Sequence, residues 1–179
     1  LRFVRGQATS LEVLERACLG AASHAILLAP NPMDPRSDDQ NLAAVLTMEH
    51  INGGLHTVCE VVDAERVDLF YRAGADSVVC LANLTCNFLA QELLDPGVQR
   101  VLEEITHNTY GQQIYIAPVQ PSGHTTYAKA CELLQKEDAL ALGIARAERV
   151  LLNPSAQELL KADDRIVCLA ATRPTPLHL

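Results

Sequence analysis

The chain has 179 residues, enough for one ordinary domain or two small lobes, and its 49% hydrophobic and 20% charged residues suit a globular protein rather than a disordered one. A formal net charge of −8 repels phosphate backbones, and with no tryptophan and few aromatic rings for base stacking, nucleic acid is excluded as a partner. No apolar run approaches the ~18–20 residues that cross a bilayer, and the opening Leu1-Arg2-Phe3-Val4-Arg5 lacks the apolar stretch and cleavage site of a signal peptide.

Phe3-Val4 reads as a strand stub that turns at Gly6. Thr9-Ser10-Leu11-Glu12 has capping-box spacing, and Leu11, Leu14, Ala17 and Cys18 follow at helical intervals until Gly20. Ala25–Ala29 is a continuous apolar run, the pattern of a parallel strand covered by helices on both faces. A proline-rich loop through Pro35 follows, then a helix from near Asp38 to Ile51. Thr57–Val62 is the next strand, Ala64–Ala73 a helix, and Ser77–Cys80 a short strand. Alternating strand and helix imply βαβ units and a parallel sheet.

After Cys80 the pattern changes. Asn83–Leu94 and Val98–Ile105 are helices separated by Asp95-Pro96-Gly97, and the polar Thr106–Gly111 reads as a linker. A smaller unit follows, with strands at Gln113–Val119, Leu140–Ala145, Val150–Leu152 and Arg165–Ala171 and a helix over Thr125–Leu134. The expected fold class is α/β. A Rossmann-like lobe occupies 1–81, crossover helices and linker 82–111, and a small α+β lobe 112–179.

The six cysteines sit mainly in apolar segments, as buried reduced thiols do, and no C-x-x-C occurs. H-E-x-x-H, G-x-S-x-G, the P-loop and G-x-G-x-x-G are all absent, and the histidines are scattered. Asp38 and Asp39 stand where aspartate caps a helix. Glu60 lies inside an apolar strand, where a charge must be paired, hydrogen-bonded or bound to a cation. A structural pair and a ligand role both stand for it. Ligands of open α/β sheets bind beyond the carboxyl ends of the strands. Gly6, Gln7, Ala8, Ala29 and Pro30 fall there and line the expected nucleotide crevice.

The runs Val4-Arg5-Gly6-Gln7-Ala8-Thr9, Ala25-Ile26-Leu27-Leu28 and Asp38-Asp39-Gln40-Asn41-Leu42-Ala43 resemble the middle of an RCK domain (regulator of potassium conductance). Val58–Asp63 followed by Leu69–Val79 is the most specific match, and Leu89–Val98 resembles the family's crossover helix. Ile114–Val119, Gly143–Arg146, Asn153-Pro154 and Leu159–Cys168 resemble its C-terminal lobe. The two βα units that open the family domain have no counterpart here, Gln7 replaces the usual aspartate, and Ala162-Asp163 replaces a glycine–aspartate turn.

The resemblance implies a regulatory domain of a bacterial potassium channel or Trk-Ktr-type uptake system, not an enzyme. Its ligand would be NAD(H), ATP/ADP or Ca²⁺, and Glu60, Asp38 and Asp39 would be the candidate metal ligands. The implied partners are a second copy, met through the crossover helix and closing into an octameric ring, and a potassium pore, on the same chain or another. The implied location is the cytoplasmic face of the bacterial plasma membrane. Two other readings stand beside it: a fragment of a Rossmann-type NAD-dependent oxidoreductase, and an assembly scaffold without ligand.

Overall fold

A computed structural model describes residues 3–107, 111–121, 124–147 and 149–178. The chain divides into two units, Leu1–Leu94 and Asp95–Leu179.

In the first unit, alternation along the sequence becomes alternation of burial. Strand β1 is His24–Leu27, β2 is His56–Val61 and β3 is Ser77–Cys80, paired in parallel in the order β1-β2-β3. Along β2, Thr57, Cys59 and Val61 are buried, while Val58 and Glu60 are only half-buried. The buried face meets α1 (Leu11–Arg16), α2 (Ser37–Ile51) and α3 (Val67–Arg72) through Leu14, Val45, Met48 and Phe70. Phe70 and Val45 are fully enclosed. Each such side chain contributes roughly 1.5–3 kcal/mol on leaving water.

Three expectations change. Among the described residues of this unit, helices cover one face of the sheet: Ile26 is 74% exposed, and Val79 on the same side is also open. A five-residue apolar run marks a strand, but how many of its faces are covered depends on elements the run itself does not encode. Phe3-Val4 is irregular, and Phe3 is 90% exposed. A strand needs a ladder partner, and none is paired to it among the described residues. The capping box does not form: Ser10, not Thr9, is the N-cap of α1, and no side chain caps it.

Helix α4 (Leu81–Leu94) buries no residue of its own, and its leucines stand open. Leu84 is 57% exposed, Leu89 65% and Leu93 82%.

The second unit is a five-stranded sheet, ordered β6-β5-β7-β4-β8. Its strands are β4 (Gln113–Gln120), β5 (Leu140–Arg146), β6 (Arg149–Leu152), β7 (Arg165–Ala170) and β8 (Leu177–His178). All pairs are antiparallel except β4 with β8. Helix α6 (Tyr127–Lys136) closes one face with Ala130 and Leu134 on Ile144, Ile166 and Cys168. Helix α5 (Val98–Thr106) precedes the sheet. Of the expected linker, Asn108–Tyr110 lies outside the described residues.

Candidate functional site

The loop before α1, the end of β1 and the first half of α2 enclose a crevice of about 370 Å³. The loop contributes Gly6, Gln7, Ala8 and Thr9, the strand end Leu27, Leu28 and Pro30, and the helix Gln40, Asn41 and Ala44. This is the carboxyl edge of a parallel sheet, where such ligands sit. Gly6 is fixed by packing: a Cβ there would collide with both methyls of Val13.

Four of the five residues expected at the crevice line it. Ala29 does not, because it is buried and its N–H donates to Glu60 Oε2 at 2.8 Å. Glu60 thus has a structural partner. Its carboxylate reaches across from β2 and holds the end of β1.

Asp38 is completely buried. Its two carboxylate oxygens accept the N–H groups of Val62 and Asp63, each at 2.9 Å. The side chain therefore ties α2 to the exit of β2 rather than capping its own helix. Asp39 lies outside, ion-paired with Arg66. Glu60, Asp38 and Asp39 are thus each engaged with a different partner. Among the described residues, no group of three or more His, Cys, Asp or Glu side chains converges to hold a metal ion.

Residues not expected from the sequence complete the frame. Asn41 is buried and its Nδ2 donates to the carbonyl of Glu60 at 3.2 Å. Ser37 exchanges two hydrogen bonds with Asn31: its Oγ donates to the carbonyl at 2.8 Å and accepts from the N–H at 3.1 Å. The proline-rich loop is closed on α2 by this pair. A serine at a helix start is the only hint the sequence carries of it.

The polar side chains lining the crevice are Gln7, Thr9, Gln40 and Asn41. All are uncharged, and all both donate and accept hydrogen bonds. Beside them the wall is apolar, from Leu27, Leu28, Pro30 and Ala44. Such a lining suits a flat, neutral, hydrogen-bonding group.

Residues 1–81 match the family model of the TrkA-N domain. A Trk system potassium uptake protein TrkA homolog from Pyrococcus horikoshii is 22% identical over 172 residues, 93% of this chain and 71% of that protein. Among solved structures, the human SLO3 gating ring has the same fold, with a TM-score of 0.74 at 17% identity, over 95% of this chain and 36% of that one. The chain therefore spans about a third of that gating-ring chain. The GsuK RCK domain aligns with 96% of this chain and 35% of its own, at 23% identity and a TM-score of 0.48. The TrkA-N match of residues 1–81 agrees with the RCK resemblance read from the sequence, and the SLO3 match shows the same fold over nearly the whole chain.

Proposed function

We propose that this chain is a regulatory domain of a potassium channel or potassium-uptake system, and that it reads a nucleotide in the crevice of its first unit. The observation that carries this reading is the crevice itself, built within the TrkA-N-matching residues at the carboxyl edge of the sheet. Its amide and hydroxyl groups fit the neutral base and ribose of NAD(H), ADP or ATP. No arginine or lysine lines it among the described residues, so phosphates would face outward. The lining also offers no carboxylate, imidazole, thiol or amine for acid–base chemistry. That favours sensing over turnover. A calcium ion needs ~6–8 oxygen ligands, and the nearby carboxylates already hold backbone N–H groups or an arginine.

Thr9 is exposed on the crevice rim, so Thr9→Trp fills the space without disturbing the core. Calorimetric titration with NAD(H), ADP and ATP is expected to show saturable binding to the unmodified chain. Thr9→Trp should weaken it at least about tenfold, ~1.4 kcal/mol. No binding of any of them at millimolar concentration would contradict the reading.

The same proposal assigns α4 to a second copy of the chain, within an octameric ring that meets the pore at the inner face of a bacterial membrane. Leu84, Leu89, Leu93 and Leu94 are exposed on a helix whose only charge is Glu92. An apolar patch of this kind marks an interface. Among the described residues no helix is long and apolar enough to cross a membrane. Leu89→Glu would place a carboxylate in that interface, at a cost of roughly 2–3 kcal/mol. Light scattering should then show dimers or larger rings for the unmodified chain and a dissociation constant raised about 30- to 150-fold in the variant. An unchanged association would remove α4 from the interface.

A further inference from the structure

The strand-start edge of the three-stranded sheet, at the other end of α2 from the crevice, carries a second set of polar groups. Glu49, near the end of α2, packs on the turn before β3: a Cβ on Gly74 would lie 2.6 Å from Glu49 Cγ. Gly74 has φ +108°, a backbone setting that favours glycine, and the missing side chain lets the turn approach the helix.

Asp76 follows two residues later, and its carboxylate has a backbone donor. It accepts the N–H of Thr57 at 2.7 Å, and His56 Nδ1 stands 3.6 Å away. Glu49 is not supplied in this way, because its Oε1 is buried and has no partner. Thr57 is completely buried, on the same face of β2 as Cys59, and its Oγ1 also lacks a partner. Burial, and then the charge of Asp76, hold the Glu49 carboxyl above the usual range. Burial, then Asp76 and Glu49, push the Cys59 thiol up to about 11.

The titratable groups of this corner are therefore Asp76 from the turn, Cys59 and His56 from β2, and His24 of β1, whose ring meets that of His56 edge-on at 5.7 Å. On α2 itself His50 is the exposed neighbour. No lysine or arginine pairs with Glu49 among the described residues.

We infer that Glu49 is a proton-operated latch: protonated, it seats the end of α2 on the Gly74–Asp76 turn, and ionised, it is driven off that turn by Asp76. A neutral carboxyl tolerates this burial better than a carboxylate does. A carboxylate there faces a like charge, and its buried Oε1 has no protein donor to offset it among the described residues. The native state keeps a proton that the unfolded chain releases above about pH 4.3. Stability therefore falls as pH rises from there through the higher native value. Across that window the unfolding equilibrium constant rises about tenfold per pH unit, and it then levels off. Because α2 also supplies Gln40, Asn41 and Ala44 to the crevice, the latch would link protons to ligand binding, a consequence that rests on the function proposed above.

The test needs no nucleotide, so its outcome is separate from that reading. Urea unfolding of the full chain is measured from pH 4.5 to 8 for the unmodified chain and for Glu49→Gln, a neutral mimic of the protonated acid. The expected result is a stability loss in the unmodified chain that the variant lacks, the variant matching its parent at the low-pH end. The same slope in both overturns the latch. Should Glu49→Gln fail to fold, hydrogen exchange of the 73–76 amides in the unmodified chain decides. After correction for intrinsic base catalysis, protection should drop at least tenfold as pH rises, and constant protection overturns the proposal.

Discussion

Replacing Asp164 by alanine is expected to destabilise the second unit by about 2–4 kcal/mol, because it removes a buried carboxylate and the three hydrogen bonds it accepts. Asp164 is 2% exposed and accepts Arg146 Nε at 2.9 Å and Nη2 at 2.8 Å, a two-pronged pair, together with the Lys161 N–H at 2.8 Å. Arg146 also donates to Glu158 at 2.8 Å and to the carbonyl of Leu159 at 2.9 Å. One guanidinium thus ties the end of β5 to the segment between β6 and β7. Urea unfolding of Asp164→Ala measures the loss. The double variant Arg146→Met/Asp164→Leu should lose less, because both charges leave together.

The same network sets a pH dependence. The Arg146 guanidinium, helped by the Lys161 N–H and against the opposing effect of burial, holds the Asp164 carboxyl below the usual range. A carboxylate whose native value is depressed stabilises the fold above its unfolded value, about 3.9. That contribution is lost as pH falls through the native value. Acid unfolding of the unmodified chain should therefore steepen below about pH 4, and Asp164→Ala should lack that component.

Asp38→Ala is the second large effect. It strands the N–H groups of Val62 and Asp63 where the carboxylate held both at 2.9 Å. Two orphaned donors at a buried site should cost about 2–4 kcal/mol, read from thermal or urea unfolding. Asp39→Ala is the control. Its carboxylate is exposed and pairs with Arg66 at the surface, so its loss should stay within about 1 kcal/mol.

These two aspartates show what the sequence can and cannot tell. Adjacent acids at a helix start read alike, as caps. One of them reaches 24 residues along the chain to the exit of β2, and the other stays at the surface. Nothing local separates them, because the partner is set by how α2 lies on the sheet. Glu60 is the opposite case. A charge in an apolar strand announces a partner, and the structure supplies it as the Ala29 N–H. The same bond engages the N–H of Ala29, which is buried and does not line the crevice. Most strands were legible because period-two alternation and apolar runs are local signals. The two-residue β8 was not, because its only support is pairing with β4 more than fifty residues earlier. Arg146 was legible only as a residue of a family-like run, since its acids stand 12 and 18 residues on, in irregular segments.

The central claim is that a nucleotide in the crevice shifts the conformation of a regulatory domain. A ligand can do this only by binding one shape better than another. Hydrogen exchange of the full chain, with and without saturating NAD(H), ADP or ATP, tests it most directly. The account predicts protection at Gly6–Thr9, Leu27–Pro30 and Gln40–Ala44, a change in exchange along α4, and no consumption of the nucleotide. Unchanged exchange with every nucleotide, or turnover of one of them, would contradict it.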